Sequence, residues 1–159
     1  MVRRPVIFAA FVGQLLTAAA PSAASAQEAA NIRSAYAGKT RMTYSSGHGT
    51  QVEYVAPDGR SFLWYPGNRT VLPGRWKLDI DADDPDDISL CQLYPSSSYN
   101  PVTHTYGGSW ECEDARRSLS RMKETLNGDP FGLARRRKPP FVLSREQTSF
   151  AELLRRAGK

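Results

Sequence analysis

Gln51-Val52-Glu53-Tyr54-Val55-Ala56-Pro57-Asp58-Gly59-Arg60-Ser61-Phe62-Leu63-Trp64-Tyr65 is the stretch that decides the fold class. Val52 and Tyr54 alternate with Gln51 and Glu53. Phe62 and Trp64 alternate with Leu63 and Tyr65. A period of two marks half-buried strands. Ala56-Pro57-Asp58-Gly59 between them is a tight turn, because Pro presets φ at its second position and Gly accepts a positive φ at its last. The segment is a β-hairpin.

The same period runs outward on the C-terminal side. Pro66-Gly67-Asn68 turns the chain, Arg69–Leu72 is a short strand, and Pro73-Gly74 is a bend or bulge. Trp76, Leu78 and Ile80 alternate with Arg75, Lys77 and Asp79. After an acidic loop come a strand over Ile88–Tyr94, a polar loop over Pro95–Pro101 and a last strand within Thr103–Cys112. Short turns leave no room for crossover helices, so the strands must pair antiparallel. The fold class is mainly β (α+β): an antiparallel meander or small partly closed barrel with flanking N-terminal and C-terminal helices.

The helices are read from a change of period. Ala29, Ile32 and Tyr36 make one face of a short helix over 28–37. Ala115, Leu119, Met122 and Leu126 predict a helix over 114–127, with Asp114 as N-cap and Asn127-Gly128 as C-cap. Arg135-Arg136-Arg137-Lys138-Pro139-Pro140 reads as an extended charged linker. Ser144 with Gln147 fits a capping box, and Phe150, Leu153, Leu154 and Ala157 line one face of a final helix.

Residues 1–26 read as an export signal: Arg3 and Arg4, an uncharged apolar stretch from Val6 to Ala20, and Ala24-Ser25-Ala26 as a cleavage site. That stretch is shorter than the ~20 residues of a membrane span. The expected location is periplasmic or secreted. The predicted organisation is a β-rich domain over 27–133 and a basic linker with an amphipathic helix over 134–159. Of the net charge of +5, the last segment carries more than its share: eight basic residues against Glu146 and Glu152. This leaves 27–133 mildly acidic.

Cys91 and Cys112 are the only cysteines. Both fall in predicted strands of an exported chain, and a disulfide is expected. The two histidines, His48 and His104, sit in a glycine-flanked turn and between threonines. Neither belongs to a nucleophile elbow, so no catalytic residue is assigned and no enzyme activity is expected. The aspartates at 79, 81, 83, 84, 86 and 87 lack the Gly and Glu positions of a calcium loop. No metal ligand set and no cofactor are called for. Phe62, Trp64, Trp76 and Trp110 are expected in the core and Tyr99, in the Ser-rich loop, on the surface. Tyr99, Asn100, His48 and His104 are the candidate ligand or partner contacts. Arg135, Arg136, Arg137, Lys138, Arg155 and Arg156 are the candidate contacts to an anionic membrane or acidic partner. Nucleic acid is not expected, since no aromatic interleaving accompanies the basic run.

Asp58–Asn68, Gly74-Arg75-Trp76-Lys77, Cys91, Tyr99–Thr103 and Gly108-Ser109-Trp110-Glu111-Cys112 together resemble a family of small secreted alphaproteobacterial proteins of unknown function. In that family a Gly-x-Trp strand precedes a Cys-bearing strand. The resemblance covers residues 34–112 and implies a periplasmic β-rich domain, with no catalytic residues to carry over. The function expected is non-enzymatic binding of a cell-surface glycan or an envelope protein. The alternative is inhibition of a host or rival hydrolase through Ser45–Thr50 or Pro95–Pro101, and an enzyme ranks last because no acid/base pair or nucleophile constellation can be named.

Overall fold

The computed structural model describes residues 23–159. The export signal expected over 1–26 therefore lies almost wholly outside the described residues. The elements are α1 (Ala23–Tyr36), β1 (Lys39–Ser45), β2 (Gly49–Val55), β3 (Arg60–Trp64), β4 (Leu72–Ile80), β5 (Ile88–Leu93), β6 (Tyr99–Asn100), β7 (Thr105–Tyr106), β8 (Glu111–Asp114), α2 (Ala115–Ser120), β9 (Met122–Asn127) and α3 (Phe150–Arg156), with a 3-10 turn at Leu133–Arg135 before α3. Seven strands form one antiparallel sheet in the order β8-β5-β4-β3-β2-β1-β9, and β6-β7 is a separate small hairpin. The sheet is mainly a meander and curls into a half-barrel.

The hairpin read first is present as β2–β3, with Val52 opposite Trp64 and Tyr54 opposite Phe62. Its neighbours differ from expectation in instructive ways. Leu72–Ile80 is a single strand that includes Pro73. Proline is tolerated because β3 pairs with Leu72–Arg75 and β5 only with Arg75–Ile80, so Pro73 is never flanked on both sides. The helix expected over 114–127 stops at Ser120, and Met122–Asn127 is the edge strand β9. Met122, Glu124 and Leu126 alternate with Lys123, Thr125 and Asn127, so the segment also satisfies a period of two. The open edge of β1 captures it, Thr40 facing Leu126. Asp114 does cap α2, its side chain accepting from Arg117 N.

The link from β8 to β9 is only α2 and one residue, yet those strands lie at opposite edges of the sheet. The curl must bring the edges close, and an ion pair between Arg121 and Glu113 spans the gap.

Each face of the curled sheet has its own core. On the concave side Ile32 and Tyr36 of α1 pack with Val55, Trp76, Ile88, Leu90 and Ala115. On the convex side Met42, Val52, Trp64 and Val71 pack with Phe131, Leu133, Leu143, Phe150 and Leu153. The segment expected to be a linker and separate helix is thus a wall of the second core. The Trp64 indole N–H donates to Phe141 O at 3.0 Å, Val71 N to Arg137 O at 2.8 Å and Gly67 N to Leu143 O at 3.0 Å. A Cβ on Gly49 would lie 2.6 Å from the Arg145 Cα, so the turn after β1 and the C-terminal segment meet backbone to backbone. α3 is capped by Ser149, whose side chain accepts from Glu152 N, rather than by Ser144.

Cys91 and Cys112 form a disulfide between directly opposed positions of β5 and β8. A disulfide fits an oxidising compartment. No helix among the described residues is long and apolar enough to cross a membrane.

Because Leu153 is fully buried in the convex core, Leu153→Ala should destabilise the protein by about 2–5 kcal/mol. Urea unfolding checks this, and the transition should stay single for both chains. An unchanged midpoint, or a second transition, would show that the C-terminal segment folds apart from the sheet.

Candidate functional site

The concave face is only half filled by α1. Its other half, at the end that holds the β1–β2 turn, is a cavity of about 430 Å³. Arg41, Thr43, Gln51, Glu53, Gln92 and Tyr94 line its interior, and Tyr65, Asn68, Tyr99, Asn100, Tyr106 and His48 also border it.

The floor is a polar network centred on Glu53, which is 3% exposed. Arg41 lies opposite Glu53 in the β1–β2 ladder. Its Nε and Nη2 donate to Glu53 Oε2 at 3.1 and 2.5 Å. From β5, Gln92 Nε2 donates to both carboxylate oxygens at 3.1 and 2.9 Å, and the Tyr94 hydroxyl donates to Oε1 at 2.8 Å. The Arg41 guanidinium also stacks on the Tyr36 ring, 4.3 Å from its centroid. Burial opposes the charge on Arg41, but the adjacent Tyr36 and Glu53 outweigh it and raise its pKa, so it stays cationic. Burial, and then the Glu53 charge, push the Tyr94 phenol well above its ordinary value, so Tyr94 remains a donor.

Tyr94 reaches Glu53 across two intervening strands because those strands are small beneath it. Ser61 and Gly74 face each other in β3–β4. A Cβ on Gly74 would lie 2.8 Å from the Tyr94 ring and from Ser61 Oγ. The glycine is required here by close approach.

The mouth is bordered by the 95–108 loop, which folds on itself. Gly108 N donates to Tyr94 O at 2.9 Å and Gly107 N to Ser98 O at 3.0 Å, and Ser98 Oγ donates to Pro95 O at 2.6 Å. The Tyr99 and Tyr106 rings pack at 5.0 Å between centroids with their planes tilted by 48° and are 49% and 67% exposed. Across the cavity His48 Nδ1 lies 3.4 Å from the Tyr65 hydroxyl. Burial, with a smaller push from the Arg145 charge, lowers the His48 pKa, so the ring is neutral at pH 7.

Three of the four candidate contacts read from the sequence, Tyr99, Asn100 and His48, border this one cavity. His104 stands just behind it. Its Nδ1 is 3.0 Å from the Tyr99 hydroxyl, and its φ of 58° makes it the non-glycine residue with positive φ among the described residues. Arg135, Arg136, Arg137, Lys138, Arg155 and Arg156 are all exposed and lie away from the cavity lining. Trp110, expected in the core, is 39% exposed, with Lys77 Nζ 5.4 Å over its ring. In the acidic loop the Asp81 carboxylate accepts from Asp83 N and Asp84 N at 2.8 and 2.9 Å, which spends it on turn geometry.

The floor residues escaped the sequence reading. Glu53 alternates with Val52 and Tyr54, and a charged residue at such a position reads as solvent-facing. The signal that could have found the pair is the turn: a hairpin centred on Gly47 puts Arg41 and Glu53 equidistant from it, hence opposite each other.

No family model, no curated protein and no solved structure matches this chain.

Glu53→Ala removes the partner of a buried guanidinium, and breaking a buried pair costs about 3–5 kcal/mol. Thermal unfolding should show that loss, whereas Glu111→Ala on the exposed β8 edge should change stability little. Equal, small effects would mean the network does not hold the floor. A milder pH effect follows from His48. Its folded pKa lies below the unfolded value, so its contribution to stability is present above about pH 6.5 and is lost as pH falls through the lower, folded pKa. His48→Gln should flatten the melting-temperature profile in that window, and an unaltered profile would count against it.

Proposed function

We propose that the chain is a non-enzymatic binding protein of the periplasm or extracellular space, and that its cavity takes a saccharide. The observation that carries this reading is the pairing of a hydrogen-bonding floor with a tyrosine-bordered mouth in a cavity of about 430 Å³. That size is in the range of small-ligand sites. Thr43 is bonded to Gln51, Gln92 to Glu53, and Asn100 to Val102 N and Thr103 N. An apolar ligand would desolvate the polar atoms of these side chains and of Asn68 that those bonds do not use, a cost of roughly 1–3 kcal/mol for each group left unpaired. A hydroxyl-rich ring meets both demands. Its hydroxyls exchange hydrogen bonds with the floor, and its C–H faces lie on Tyr65, Tyr99 and Tyr106.

The charges weigh against an anionic ligand, since Glu111 also lines the cavity and has no ion-pair partner among the described residues. Arg41 is paired with Glu53 and Arg121 with Glu113, so neither cation is left to demand an anion. The Glu53 carboxylate is occupied by Arg41, Gln92 and Tyr94. Held in this way its two oxygens orient the donors of the floor, which supports binding. The disulfide supports the extracytoplasmic location. In the inhibitor alternative the 95–108 loop would be offered to an enzyme. The loop's exposed tyrosines would suit that role too, but its bordering of the cavity favours the ligand.

The test is a printed panel of neutral, N-acetylated and uronic-acid oligosaccharides, followed by calorimetric titration of the best binder. Neutral or N-acetylated members should bind saturably with a one-site isotherm. Tyr99→Ala and Tyr106→Ala should each weaken affinity about tenfold, in line with the loss of a contact aromatic. A panel without a saturable binder, or affinity unmoved by both substitutions, would reject the saccharide reading.

A further inference from the structure

We infer that the convex side of the C-terminal segment is a docking surface for an anionic lipid bilayer, an inference independent of what the cavity binds. The sequence shows a run of basic residues, but the fold assembles a larger patch. The bond from Val71 N to Arg137 O lays 135–138 beside the loop that carries Arg69. From the other side α3 brings the Arg156 guanidinium onto the Phe141 ring, 4.0 Å from its centroid. Arg69, Arg135, Arg136, Arg137, Lys138 and Arg156 are all exposed. None of them has an ion-pair partner among the described residues, although Arg155 close by is paired with Glu152. Ordinary surface cations can stay unpaired, but six brought together by three separate segments make a coherent field.

The carboxylates closest in the chain are fewer and already engaged: Asp129 accepts from Leu133 N and Ala134 N, Glu124 from Phe150 N, and Glu152 pairs with Arg155. The acidic loop 81–87 follows the far end of β4, whose nine residues begin at Leu72 beside the basic loop. At ~3.3 Å per residue the strand separates the two by roughly 26 Å, well beyond a Debye length of about 10 Å at 0.1 M salt. The molecule thus has a basic and an acidic pole.

Val142 distinguishes a bilayer from other polyanions. It sits at 47% exposure between Phe141 and the buried Leu143, an apolar side chain beside the cations. A bilayer surface accepts both parts, phosphates against the guanidiniums and the isopropyl group at the headgroup boundary. A nucleic acid has no use for the valine, and the patch presents no row of aromatics for base stacking. The same loop carries Tyr65 and Asn68 of the cavity and Arg69 of the patch, so docking would hold the cavity mouth close to the membrane surface.

The test is co-sedimentation of the full chain with phosphatidylcholine vesicles containing or lacking phosphatidylglycerol. Wild type and variants share one N-terminus, so any contribution from residues 1–22 drops out of the comparison. Binding should require phosphatidylglycerol and fall steeply between 0.05 and 0.5 M salt, on the scale expected from screening (roughly 13 to 4 Å of Debye length). Each basic residue removed near the surface should weaken partition about fivefold, so Arg136→Glu with Lys138→Glu should lose at least about 25-fold while the melting temperature holds. Val142→Ser should weaken vesicle binding and leave binding of soluble inorganic polyphosphate unchanged. Equal partition of wild type and the double variant would overturn the inference. So would a Val142→Ser chain that binds vesicles as wild type does, or tighter binding to duplex DNA than to vesicles at the same salt.

Discussion

Glu53 belongs to β2, while two of its three partners, Gln92 and Tyr94, belong to β5 and its immediate flank. In the sheet order β5-β4-β3-β2 those strands are three positions apart, about 14 Å in a flat sheet. Contacts of 2.8–3.1 Å between them exist only because the sheet curls over its concave face. The network and the curl therefore depend on each other. Burying a carboxylate and a guanidinium is unfavourable unless every strong donor and acceptor finds its partner, and this is met here by one strand pair, one residue from across the fold, and one tyrosine lying over a glycine. What results is a polar floor that α1 covers only where Tyr36 lies against Arg41, since Ile32 and Tyr36 otherwise pack at the end lined by Val55, Trp76, Ile88 and Leu90.

The outer face solves a different problem. A curled sheet of seven strands presents a convex surface whose apolar residues Met42, Val52 and Trp64 would meet water. The C-terminal segment removes that surface from solvent with Phe131, Leu133, Leu143, Phe150 and Leu153, while its arginines project outward. Amphipathic segments of this kind cover apolar area with one side and keep charge hydrated on the other. The basic character of the tail and its role in the core are two sides of one strip of chain. The disulfide closes the opposite flank by tying the four-residue edge strand β8 to β5.

Local signals were sufficient where one period had one interpretation. The β2–β3 hairpin is legible because alternation and turn chemistry agree, and Asp114 is legible as a cap because a short acceptor side chain suits that place. Met122–Asn127 was not, because Met122 and Leu126 satisfy both a helical and a strand period, and the choice was made by the unpaired edge of β1. Trp110 shows the same limit: an aromatic in a strand-like segment is placed by its partners, and here the partner is Lys77 at the surface. Tyr99, Asn100 and His48, which border the cavity, stand out in the sequence because polar and aromatic residues in glycine-rich or serine-rich loops have few structural duties. Arg41 and Glu53 were hidden because a buried charge pair in a strand looks like a solvated one until the register is known.

The account rests on the claim that the half-filled concave face is where a ligand binds. The most direct measurement is nuclear magnetic resonance of the isotope-labelled protein during titration with the strongest saccharide binder. The account predicts that the largest shifts fall on the amides and side chains of Gln51, Gln92, Tyr65, Tyr99 and Tyr106, with the Arg41 guanidinium protons perturbed and the 135–138 strip silent. Shifts confined to the convex surface, or spread evenly without a focus on those residues, would contradict it.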